Sequence, residues 1–330
     1  MLRPTLQSAT SVGAFRITRL SFESRQTGNG CAWLLAITGA FDVGVLNSRG
    51  CLNRPMQRLN TILMTLRKML LIVVCWTAAQ GVLAKERAVE IAETINVAVA
   101  ANFVSTFKAL KSTFEHTSGH TLRVSSGSSG RFYAQIKNGA PFDVFFSADQ
   151  TTPARLEVEE LAVAGSRFTY AVGALALWSA NPDLVVDGAQ VLRRGEFNKL
   201  ALANPRLAPY GAAAIDVLTH LGLREATMSQ WVQGENIAQT YQFVSTGNAD
   251  LGFVALSQIS AQGQSEQGSA WRIPAELHQP ILQDAVLLRR GQTSQAAQAL
   301  LHFMRSSEAR AIIEANGYAW PTTTATLSSH

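Results

Sequence analysis

From Ile95 onward, short β-branched or apolar runs alternate with stretches whose apolar residues recur at helical spacing, the pattern of βαβ units around a largely parallel sheet. Ile95–Ala100 predicts a buried strand. Val104, Phe107, Leu110 and Phe114 then fall on one face of a helix that Ser118-Gly119 ends. Thr121–Ser125 predicts a second strand, Phe132–Lys137 a second helix closed by Asn138-Gly139, and Phe142–Ser147 a third strand. The alternation restarts with a strand at Lys199–Ala203, helices over Ala212–Leu221 and Ile237–Thr246 that stop at Gly222 and Gly247, and a strand at Leu251–Ala255. A strand at Ile281–Leu288 and helices over Gln295–Arg305 and Glu308–Ala315 finish the body. There is no fixed repeat and no long linker. The pattern predicts an α/β protein of two lobes joined by extended crossings, lobe 1 from 92–171 plus 275–330 and lobe 2 from 172–274.

The 330-residue chain carries a formal charge of +5 and a pI near 9.3, which taken whole suggests a polyanionic partner. The excess sits upstream of the body. Residues 1–84 hold nine Lys and Arg against two Asp and Glu, leaving 19 basic and 21 acidic residues in 85–330. A body that is slightly negative removes the case for nucleic acid. A hydrophobic content of 47% with 15% charged residues excludes a disordered chain and a multi-span membrane protein. Cys31, Cys51 and Cys75 all precede residue 85, so the body has neither thiol nor disulfide, which an oxidising compartment permits.

From Met64 the chain reads as a secretory signal peptide over 64–84. Arg67 and Lys68 form the charged start, Leu70–Trp76 the apolar run, and Val82 and Ala84 the small-residue cleavage site. The apolar run is too short for a membrane span, which takes about 20 residues. Val74 before Cys75 does not fit a lipoprotein site. Residues 1–63 are rich in Arg and Ser without periodic pattern, and are expected to be a non-native upstream extension or disordered, with translation starting at Met64 or Met69.

Four loops place hydroxyls, amides or unpaired N–H groups at the start of a helix: Ala100-Ala101-Asn102, Ser125–Gly130, Asn204–Gly211 and Gly234-Glu235-Asn236-Ile237. Asn102 reads as an N-cap. A helix N-terminus offers free N–H donors and about half a positive charge, so several converging on one crevice bind an anion without Lys or Arg. Each loop alone also fits an ordinary turn or cap. Their joint place at the strand ends of a doubly wound sheet is what suggests a site.

An ordered set of motifs runs from Ile95 to Trp320: Val97-Ala-Val-Ala-Ala-Asn102, Gly127-Ser-Ser-Gly130, Gly139-Ala-Pro-Phe-Asp143-Val, Phe146-Ser-Ala-Asp-Gln150, Ala208-Pro-Tyr-Gly211, Gly234-Glu-Asn-Ile237 and Ala249-Asp-Leu-Gly-Phe-Val-Ala255. In these the sequence resembles the periplasmic molybdate-binding proteins of bacterial ABC importers, which have the two-lobed type II periplasmic binding-protein fold. The resemblance implies a monomer, not an enzyme, that needs no cofactor. It would take molybdate or tungstate in the interlobe cleft and deliver it to a membrane permease with a cytoplasmic ATPase. It places the oxyanion on Asn102, Ser129, Tyr210 and the backbone N–H of Ile237, with Ala101 and Ser128 as possible additions and no direct side-chain coordination of a metal ion. Relatives often have a Ser or Thr where Ala101 stands, leaving only its N–H to serve, and some have a ligand Tyr at Ala255, for which Tyr210 looks like the substitute.

The chemistry agrees with that assignment. Molybdate, tungstate and sulfate are fully deprotonated dianions whose oxygens only accept hydrogen bonds, whereas phosphate keeps a proton and calls for a carboxylate. Glu235 is the one carboxylate in the four loops, and the helix-cap pattern accounts for it. Sulfate remains the alternative ligand. A serine hydrolase acting through Ser128 or Ser129 is more distant, because Arg131 stands where the last Gly of a Gly-x-Ser-x-Gly elbow belongs. His116 and His120 flank a turn and read as solvated rather than as metal ligands.

Overall fold

The computed structural model describes residues 62–72, 92–260 and 268–321. It divides into two units, Met1–Lys85 and Glu86–His330. In the first, residues 62–72 are helical with every side chain exposed. The remainder of the signal-peptide reading, including the cleavage site near Ala84, lies outside the described residues, as do residues 1–61. Among the described residues no helix is long and apolar enough to cross a membrane.

The second unit holds two five-stranded sheets. In the first, β1 (Thr94–Ala100) lies between β2 (Thr121–Gly127) and β3 (Val144–Phe146), both parallel to it, with Val97 opposite Val124 on one side and Val144 on the other. Val97–Ala100 is buried throughout, the near-continuous apolar run that a central parallel strand requires. Helix α1 (Val104–Ser118) connects β1 to β2, and α2 (Ser129–Lys137) connects β2 to β3. After α3 (Thr151–Val158) comes β4 (Phe168–Gly173) at the sheet edge, joined to β3 only through the antiparallel β10 (Ile281–Leu287).

The chain enters the second sheet at Gly173-Ala174-Leu175, where β5 (Leu175–Ser179) begins. A short helix α4 (Gln190–Arg194) precedes β6 (Leu200–Ala203), an interior strand parallel to both of its neighbours, β7 (Trp231–Gly234) and β8 (Leu251–Ala255). Helix α5 (Pro209–His220) and the one-turn α6 (Arg224–Thr227) join β6 to β7, and α7 (Ile237–Ser245) joins β7 to β8. Helix α8 (Leu256–Ile259) follows β8, and β9 (Ser269–Arg272) pairs antiparallel with β5 at the edge. The chain then returns to the first sheet as β10, and α9 (Gln295–Phe303) and α10 (Ser307–Ala315) pack there.

Phe103, Phe107, Phe146, Tyr170 and Tyr318 form a contiguous aromatic group in the first lobe, centroids 4.6–6.3 Å apart. Full burial of one such ring contributes roughly 1.5–3 kcal/mol. In the second lobe α5 presents small residues to the core: Ala213, Ala214 and Val217 are nearly inaccessible against Leu200, Leu202 and Phe253. The small side chains let α5 lie close to its sheet. A Cβ on Gly211 would collide with the Ala203 carbonyl at the end of β6.

Several boundaries differ from the sequence reading for identifiable reasons. Helix α2 begins three residues before Phe132, at Ser129, because Ser128 is extended and Gly130 and Arg131 already continue the helix. Helix α5 begins at Pro209 rather than Ala212, since proline's fixed φ suits the first helical position. Asn102 does not cap α1: Phe103 holds that position in helical conformation, and Asn102 is turned inward. His120 is buried rather than solvated, and its Nδ1 accepts the Glu93 N–H at 3.2 Å. His116 is exposed.

Candidate functional site

All four loops end at one small cavity between the two sheets, and Ala101, Asn102, Ser128, Ser129, Tyr210 and Ile237 all line it. The cavity is small, about 10 Å³. No Lys, Arg, His, Asp or Glu is among its lining residues. Any charge it recognises must be met by dipoles.

The donors differ in kind from residue to residue. Ala101 is not one, because its N–H is given to the Gly127 carbonyl at 2.9 Å, so it supplies only wall. The Asn102 amide side chain also turns away: Nδ2 donates to Gln283 Oε1 at 2.9 Å and to the Tyr318 hydroxyl at 3.1 Å, leaving the backbone N–H as its donor toward the cavity. Ser128 occupies the N-cap position of α2 yet makes no capping hydrogen bond, so its hydroxyl is not spent on the helix. Ser129 Oγ accepts the Ala148 N–H at 2.9 Å, which leaves its own proton to donate.

The second lobe contributes two helix starts. Ala208, the N-cap of α5, has no side-chain oxygen, Pro209 has no N–H, and Gly211 N–H is taken by the Ala208 carbonyl at 2.9 Å, which leaves the Tyr210 N–H without a cap acceptor. The Tyr210 phenol oxygen is turned to Gln283, whose Nε2–H it accepts at 3.1 Å. Ala255 is buried at the end of β8 and does not line the cavity. At α7, Asn236 Oδ1 accepts from Ala238 N at 3.0 Å and Gln239 N at 3.1 Å, satisfying the second and third helical positions and leaving Ile237 N–H, the first, for a guest. Replacing Asn236 by Ala should lower stability by about 1 kcal/mol, as loss of an N-cap does, with weaker anion binding because Ile237 is no longer held. Thermal melting with and without anion checks both effects.

The rim joins the lobes directly. Gly130 N–H donates to the Leu207 carbonyl at 2.9 Å, and Arg131 pairs with Glu235 at 2.8 Å across exposed surface. Glu235 is thus an ion-pair partner, while the cap is Asn236. Behind the cavity Tyr170, Tyr210 and Tyr318 are fully buried, and burial pushes each phenol well above its ordinary pKa, so all three stay protonated. Among the described residues, no histidine lines the cavity beside Ser128 and Ser129.

Residues 95–319 match the family described as bacterial extracellular solute-binding protein. The chain belongs to that family. Among relatives of this solute-binding protein, the molybdate-binding protein ModA of Azotobacter vinelandii is 54% identical over 227 residues, covering 69% of this chain and 90% of the relative. ModA of Rhodobacter capsulatus is 48% identical over 221 residues, covering 67% and 86%. A solved periplasmic molybdate-binding protein of A. vinelandii superposes with a TM-score of 0.66 at 43% identity, covering 69% of this chain and all of that one. The solute-binding protein is ModA-like, with the two-lobed type II binding-protein fold.

Two residues behind the site, Gln283 and Tyr318, escape sequence reasoning. Both reach Asn102 from the far end of the chain, and neither stands in a motif.

Proposed function

We propose that this protein binds one molybdate or tungstate ion in the interlobe cavity and delivers it, outside the cytoplasm, to an ABC import permease driven by a cytoplasmic ATPase. The observation that carries the reading is a cavity furnished by both lobes with N–H and O–H donors and lined by no charged side chain. Such a cavity suits a fully deprotonated tetrahedral dianion, whose oxygens accept and never donate. The relatives bearing the ModA name support the same ligand. Within the cavity, Asn102 N–H, the Ser129 hydroxyl, Tyr210 N–H and Ile237 N–H hold the oxyanion, with Ser128 beside them. Water exclusion on closure strengthens each bond. The permease then meets a shape populated mainly with ligand bound.

Isothermal titration of the purified protein with molybdate, tungstate, sulfate and phosphate in one buffer tests this. One-to-one heat with molybdate and tungstate and none with phosphate is the expected result. Heat with sulfate and none with molybdate would assign the site to the smaller oxyanion, and silence with all four would end the oxyanion reading. The protein acts as a monomer in the periplasm, released by cleavage near Ala84. N-terminal sequencing of protein from its natural host should begin near Lys85, and a peptide from residues 2–54 would overturn both the cleavage and the start-site assignments.

A further inference from the structure

Two of the cavity residues are tied together behind the cavity by side chains that do not face it. Gln283, on β10, is wholly inaccessible, and its amide is used from both ends. Oε1 accepts from Asn102 Nδ2 at 2.9 Å and from the Tyr170 hydroxyl at 3.0 Å, while Nε2 donates to the Tyr210 hydroxyl at 3.1 Å. Asn102 follows β1 in the first lobe, and Tyr210 opens α5 in the second. One amide therefore bonds a residue of each lobe, and both of those residues also line the cavity.

The placement leaves this link little freedom. A Cβ on Gly173, at the crossing from the first sheet to the second, would run into both the Tyr210 hydroxyl and the Gln283 amide, so the pair is packed against the chain where it changes lobes. Asn102 is held a second time, by the Tyr318 hydroxyl, which donates to its carbonyl at 2.8 Å. In a dry interior, a polar group cannot trade a lost partner for water, so the arrangement is fixed as a unit.

We infer that Gln283 is a positioning residue for the anion site, setting the backbone N–H groups of Asn102 and Tyr210 against each other across the cleft through their side chains. The inference rests on the oxyanion reading above. It explains why two cavity residues spend their polar side chains away from the cavity. Their side chains fix the peptide, and the peptide meets the guest.

The test is a double-mutant cycle in molybdate binding, measured by titration calorimetry on the wild type, Gln283→Met, Tyr210→Phe and the pair together. Methionine keeps the length of the side chain and removes its hydrogen bonds. Tyr210→Phe removes one oxygen and guards against Gln283→Met failing to fold. Each single change is expected to weaken molybdate about tenfold. The double variant should be no more than about twofold weaker than the weaker single, because both act through one link. Melting of the ligand-free Tyr210→Phe protein should fall modestly, because the buried Gln283 Nε2–H loses its acceptor, so the coupling in binding is the deciding readout. Unchanged affinity in the Tyr210→Phe variant, or losses that simply multiply in the double, would overturn the positioning role while leaving molybdate binding intact. A wild-type protein silent toward molybdate would instead overturn the oxyanion reading, and this inference with it.

Discussion

Replacing Gly130 by Ala should weaken anion binding about tenfold, roughly 1.4 kcal/mol, while the ligand-free protein becomes as stable as before or slightly more so. The two effects have separate causes. Gly130 sits in the first turn of α2 with ordinary helical backbone, where Ala is the better helix former, by about 0.5–1 kcal/mol in a helix interior. Across the cleft, however, a Cβ at this position would stand 3.0 Å from Leu207 Cα and 3.2 Å from Leu207 O, in the very segment that accepts the Gly130 N–H. The crowding exists only when the lobes are together, so the cost falls on the bound form. Calorimetric titration beside thermal melting separates the two. A variant that loses stability and affinity in parallel would show that Gly130 matters to the fold of its own lobe and not to closure.

Ser129→Ala should cost about 1–3 kcal/mol of anion binding, since a donor to a charged oxygen is lost from a site that water cannot repair. It should also lower the melting temperature. The Ser129 oxygen is the acceptor for the Ala148 N–H, and Ala leaves that buried group unmatched. Ser128→Ala is the informative control. Its hydroxyl makes no cap to α2, so its removal should weaken the anion while leaving melting unchanged. Titration and melting of both variants check the contrast. Equal melting losses in the two would mean that both hydroxyls serve the fold.

Much of this arrangement is legible in sequence because it is local. Positive-φ glycines at 119, 222, 247 and 317 mark helix ends that Gly is best suited to make. The strand-to-helix loops around Asn102, Ser129, Tyr210 and Ile237 announce themselves by their Ser, Gly, Pro and Asn content, and the structure brings all four to one cavity. The donor atoms are harder to read. Asn102 looks like a cap until Gln283 appears, 181 residues away, and Gln283 also bonds the Tyr210 hydroxyl across 73 residues. Ala101 looks available until the Gly127 carbonyl takes its N–H. The edge strands β7 and β9 are only four residues long and partly polar, so neither period-2 alternation nor an apolar run betrays them.

The order of strands in the first sheet also sets a timetable. β3 and β4 never touch, because β10 lies between them, and β10 is made only after the whole second sheet. A chain emerging from its N-terminus therefore holds β1, β2 and β3 with an unfinished edge, and β4 with no neighbour in its sheet, until Ile281–Leu287 arrives. α9 and α10, which cover the same core, arrive later still. Pairings over such long separations close slowly. The sheet and core of the first lobe therefore cannot close until the last segments of the chain are out.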